Sequence, residues 1–112
     1  MSSAKEATVR AQVVSTAIKM VSGEMPLIEG ARTLCSLRHE VSGSNSNLFD
    51  PIVGFESETD DYPLGAQRQA YSRQSLIAMD REMAEYLAKV RPVIVQACRE
   101  LVATFRPPAS AD

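Results

Sequence analysis

Apolar positions recur at helical spacing in three segments of the chain and lose that period in a fourth that lies among them. In the first, Val9, Val13, Ala17 and Met20 fall on one face, flanked by Val14, Ile18 and Val21. Steps of three and four residues bring side chains onto one side of an α-helix. Ser3 with Glu6 forms a capping-box pattern ahead of this face, and Gly23 supplies a stop after it. These signals predict a helix from about Ala4 to Ser22. Its β-branched content lowers intrinsic propensity, so packing must hold it.

Pro26 suits a helix first turn, where the missing N–H has no intrahelical partner to lose. Leu27, Ala31 and Leu34, with Ile28 and Cys35 beside them, extend a second helix to about Glu40. Gly30 inside it costs roughly 1 kcal/mol against Ala, which points to a close helix crossing there. The short link between the two helices favours an antiparallel hairpin. The longest periodic segment follows Ser72, a plausible N-cap: Leu76, Met79, Met83, Leu87, Val90, Ile94, Ala97 and Leu101 form a near-heptad seam. Pro92 predicts a kink near residues 88–91, because proline removes one backbone hydrogen bond and crowds the preceding turn. The apolar phase continues through it, so the expectation is one bent helix from about Arg73 to Phe105. The fold class is therefore all-α, a three- to four-helix bundle: an antiparallel helical hairpin packed on a long Pro-kinked C-terminal helix. A single domain is expected over residues 1–112, with frayed tails at 1–3 and 107–112.

Between the second and third helices, Val41 to Tyr71 shows no convincing helical period. It is expected to be a long ordered central loop, since its aromatic and branched residues argue against disorder. The run Ser42 to Asn47 reads as mobile. Phe49, Ile52 and Phe55, with Leu48 and Val53 beside them, read as an anchor in the core. Glu56 to Gly65 is the displayed part. Tyr62-Pro63-Leu64-Gly65 is a turn signature that fixes its direction.

Charge sharpens this division. The chain carries net charge −2, which does not favour general nucleic-acid binding. Residues 41–71 hold five acids and one base, Arg68, while the remainder is slightly basic. No apolar run is long enough to span a bilayer, and the N-terminus lacks the apolar core of a secretory signal, so a cytoplasmic location is expected. The two cysteines, Cys35 and Cys98, sit among apolar helical residues with no metal-ligand spacing. They read as small buried hydrophobes rather than as a disulfide.

No metal site or cofactor is expected. Glu56, Glu58, Asp60 and Asp61 are clustered acids, but the EF-hand ligand order is absent and solvated carboxylates are the commoner outcome. His39, the only histidine, lies at the end of the second helix, where a cation suits the helix dipole. Arg32 and His39, with six residues between them, resemble the Arg and His motif of HEPN-type ribonucleases, which implies an RNA-cleaving helical enzyme. Thr33 departs from the polar residue usual after that arginine. No phosphate-binding loop, nucleophile elbow or HExxH motif is present. Met79 and Met83 could instead seat a second copy of the chain in a homodimeric bundle.

Ile28-Glu29-Gly30-Ala31-Arg32, Ser36 to Glu40, and above all Val53 to Gly65, VGFESETDDYPLG, resemble a family of small bacterial helical proteins of unassigned activity. The resemblance runs from about Met25 to Phe105. It implies an immunity protein for an antibacterial toxin and supplies no catalytic residue. The expected function is thus non-enzymatic protein binding: Glu56, Glu58, Asp60, Asp61 and Tyr62 meet a basic toxin surface, with no nucleic acid or membrane as partner. The opposing expectation is that Arg32, Arg38, Arg68 or Arg73 already neutralise these acids.

Overall fold

Steric demands of the two hairpin helices set the centre of the core. A computed structural model of the chain describes residues 2–41 and 46–106. Helix α1 spans Ser2–Ser22 and buries Val9, Val13, Ala17 and Met20, the face the spacing predicts. Gly23 then turns the chain with φ +89, a left-handed conformation that costs glycine little. Helix α2, Leu27–Leu37, follows Pro26 and ends in a tighter 3-10 turn, Arg38–Glu40. Met20 lies against Gly30, where an added Cβ would overlap its side chain. The absence of a side chain at Gly30 lets the two helices of the hairpin approach.

Helix α4, Arg73–Phe105, runs unbroken through Pro92. Ser72 caps it, its hydroxyl accepting the Ser75 N–H at 3.0 Å. At 1.5 Å per residue this helix accounts for about 50 Å, and it sets the long axis of a molecule measuring 54 × 28 × 23 Å. Burial along it is uneven. Ile94, Ala97, Cys98, Leu101 and Phe105 are buried against the other helices. The first half of the apolar seam, Leu76, Met79, Met83, Leu87 and Val90, is only half-buried.

The central segment departs from expectation. Where a long loop is expected, Asp50–Glu58 forms helix α3, entered through a 3-10 turn at Ser46–Phe49. Pro51 sits in its first turn and Ile52, Phe55 and Thr59 point one way into the core, at helical steps of three and four. The helix escapes a sequence reading because it has only about two turns, carries Gly54 in its interior and contains β-branched residues. Its propensity is poor and its stability comes from packing. A third 3-10 turn, Gly65–Ala70, leads into α4. The expected anchors are in place: Phe49, Ile52 and Phe55 are 1%, 0% and 3% exposed, and Phe49 meets Phe105 with ring centroids 5.9 Å apart.

Both cysteines are free thiols, Cys98 buried and Cys35 half-buried. Burial pushes the Cys98 thiol up to about 11. Residues 42–45 of the expected mobile run and the tail from Pro107 onward lie outside the described residues.

Candidate functional site

The turn between α3 and the 3-10 segment at Gly65–Ala70 is held from two sides. From α2, Arg32 Nη2 donates to the carbonyl oxygens of Thr59 and Tyr62, each at 3.0 Å, and reaches that of Asp60 at 3.5 Å. These carbonyls follow the end of α3, where unsatisfied acceptors and the helix dipole favour a cation. Thr59 is buried, and its hydroxyl donates to the Phe55 carbonyl at 2.9 Å. Arg32 is thus engaged by the main chain of the acidic turn, while His39 is exposed.

From the other side, α4 holds the turn through Asp80. Its carboxylate pairs with Arg68 at 2.7 Å and accepts the Tyr62 hydroxyl. The Arg68 guanidinium beside Asp80 holds that carboxyl below the usual carboxylate range, with the Tyr62 hydroxyl adding to the effect. Burial raises the Tyr62 phenol, and its bond to Asp80 adds to the rise. Gln67 closes the 3-10 turn, its side-chain oxygen accepting the Leu64 N–H at 3.1 Å. Gly65, with φ +56, permits the reversal after Pro63.

With Arg32 and Arg68 so engaged, the displayed acids are left unneutralised. Among the described residues no arginine or lysine forms an ion pair with Glu56, Glu58, Asp60 or Asp61. Arg32 and Arg68 therefore position the acidic turn without forming ion pairs with its carboxylates.

An open groove of about 660 Å³ lies beside that turn. Glu58, Asp61 and Tyr62 contribute from the central segment, Tyr71 from the approach to α4, and Met79, Glu82, Met83 and Tyr86 from α4 itself. All three tyrosines of the chain are present, three carboxylates, and no basic side chain. Tyr86 donates its hydroxyl to Glu58 and stacks on Phe55, with ring centroids 6.2 Å apart and planes 11° from parallel. The hydrogen bond to Glu58, with burial second, pushes the Tyr86 phenol up to about 12. Phe55 therefore supports the groove from below, joining the core to its aromatic wall.

Of the five expected contact residues, Glu58, Asp61 and Tyr62 line the groove and Glu56 and Asp60 do not. Glu56 lies on the α2 side, where its charge reinforces the upward shift that burial gives the Cys35 thiol and Arg38 opposes it. Asp60 is exposed. Sequence reasoning missed Glu82, Tyr71 and Tyr86. The available signal was Met79, Glu82, Met83 and Tyr86 at steps of three and four, a mixed face that an apolar count alone passes over. Met79 and Met83, which the seam offers to a second copy, line this groove, and Met83 also packs against the core beside Leu27 and Ile28 of α2.

An array of carboxylates, aromatic edges and thioethers in an open groove suits a cationic side chain: the acids supply charge, the rings a polarisable wall, and the methionines an adaptable floor. Among the described residues, no group of three or more His, Cys, Asp or Glu side chains is placed to hold a metal ion, and no helix is long and apolar enough to cross a membrane. No family model, curated protein or solved structure matches the chain.

Proposed function

We propose that the chain is a non-enzymatic protein-binding module whose acidic, tyrosine-lined groove receives basic side chains of a partner protein. The observation that carries this reading is the set of side chains that line the groove. Glu58, Asp61 and Glu82 line it with no basic side chain among the lining residues, while Arg32 bonds main-chain carbonyls of the turn and Arg68 pairs with Asp80. The partner class most consistent with the sequence resemblance is an antibacterial toxin with a basic surface, which the chain would neutralise as its immunity protein.

The test is co-expression with the product of the neighbouring gene, read as growth and as complex formation. Protection by the parent chain is expected, with loss of both protection and complex in the Asp61→Lys, Glu82→Lys double variant at an unchanged helical circular-dichroism signal. Binding and protection that survive the double reversal would overturn the reading.

A further inference from the structure

Three open depressions run end to end along the seam between α3 and α4. The acidic groove shares Glu58 and Tyr86 with a second depression of about 210 Å³, floored by Phe55, Val90 and Ile94. That depression shares Pro51 and Val93 with a third, of about 380 Å³, which reaches Ala97 and Glu100. The two helices are antiparallel along the seam: the end of α3 lies at Tyr86 and its start at Val93. From Met79 to Glu100 the trough follows α4 for about 30 Å.

Its chemistry is consistent along that length. The floor is apolar, and Val93, 59% exposed, stands open in its middle. Every charged residue that lines it is an acid: Glu58, Asp61 and Glu82 at one end, Glu100 at the other. One wall is α4 throughout and the other is α3 from Pro51 to Glu58, continued by the turn at Asp61 and Tyr62. The helical backbone groups are bonded within the helices, so an extended segment laid along them would find no ladder partner. A helix brings its own backbone hydrogen bonds and presents apolar side chains at i, i+3, i+4 and i+7 to such a floor.

The geometry points to an amphipathic α-helix of the partner, about 20 residues long, apolar on the face that enters the trough and basic along its flanks. This rests on the reading that the acidic groove binds a partner, and it adds the shape and extent of what is bound. The acidic end sets orientation and encounter rate, and the apolar seam beyond it supplies the contact that holds the helix.

The probe is a synthetic Leu/Lys peptide of helical period carrying one tryptophan, since the chain has none of its own and the indole emission then reports binding alone. A peptide of the same composition with its period scrambled, and a Leu/Glu counterpart, serve as controls. Saturable binding of the Leu/Lys helix is expected, weakened about tenfold by Val93→Asp and by the Asp61→Lys, Glu82→Lys pair. The scrambled peptide should bind more weakly and be indifferent to Val93→Asp. If Val93→Asp leaves helix affinity unchanged while the acid reversals abolish it, the acidic groove stands as a binding site and the helix trough falls. Equal affinity for helical and scrambled peptides overturns the trough as well, and indifference to every variant overturns both readings.

Discussion

Two single residues show how local chemistry is tied to the site. Tyr86 keeps its proton because Glu58 accepts it, so its phenol ionises near 12 rather than 10. The folded-state value is raised, so the stability this bond contributes is complete below pH 10 and is lost as pH rises toward 12. Tyrosinate absorbance should therefore show a component ionising near pH 12 that Tyr86→Phe removes, beside the raised Tyr62, and the parent should lose some stability across the same interval. Gly30 is the second case. A methyl group there would overlap Met20, which is fully buried and packed against Cys98. The overpacking cost of about 1–3 kcal/mol exceeds the roughly 1 kcal/mol gained from alanine's helix propensity. Gly30→Ala should accordingly lower the midpoint of denaturant unfolding.

At the scale of elements, α3 and the acidic turn depend on α2 through Arg32. One guanidinium nitrogen serves the carbonyls of Thr59 and Tyr62 and approaches that of Asp60. Hydrogen bonds to a charged group are worth about 1.5–3 kcal/mol. Arg32→Met should destabilise the fold by an amount of that order in denaturant titration. It should also weaken partner binding, although the groove's own charges are untouched. Arg32→Lys should restore part of the loss, because all three contacts converge on a single guanidinium nitrogen and an ammonium also offers several N–H donors from one atom. The seam of α4 teaches a related point. Its heptad-like period is continuous, yet its second half is buried by the other helices while Met83, Leu87 and Val90 of its first half are only half-buried against α2 and α3, and Met79 lines the groove. Periodicity reports which face is apolar and carries no information on where along the helix the partners end.

For the whole molecule, shape and charge act together. The radius of gyration of 15.7 Å exceeds the ~13 Å usual for a compact chain of about this size, in keeping with an elongated molecule measuring 54 × 28 × 23 Å with α4 along its length. Along that length Glu82 and Tyr86 of α4 meet Glu58 and Asp61 in a groove open to solvent. Association with a basic partner should then slow as ionic strength rises from about 50 to about 500 mM, since the Debye length shrinks from roughly 14 to 4 Å. Stopped-flow binding rates against salt would measure this. In the Asp61→Lys, Glu82→Lys variant the slope should flatten or reverse.

Much of this protein is legible in its sequence. The buried face of α1, the hairpin, the close contact at Gly30, the Ser72 cap and the extent of α4 all follow from local signals, because helix period and capping are set by residues within a turn or two of one another. The anchor residues Phe49, Ile52 and Phe55 follow from their size and apolarity. Tertiary structure alone decided that α3 is helical, since packing supplies what nine residues with an internal glycine lack. It also decided which arginine meets which acid. Arg32 turned to carbonyls and Arg68 to Asp80, pairings fixed by distances between elements far apart in the chain, and Glu58, Asp61 and Glu82 were thereby left to face solvent together.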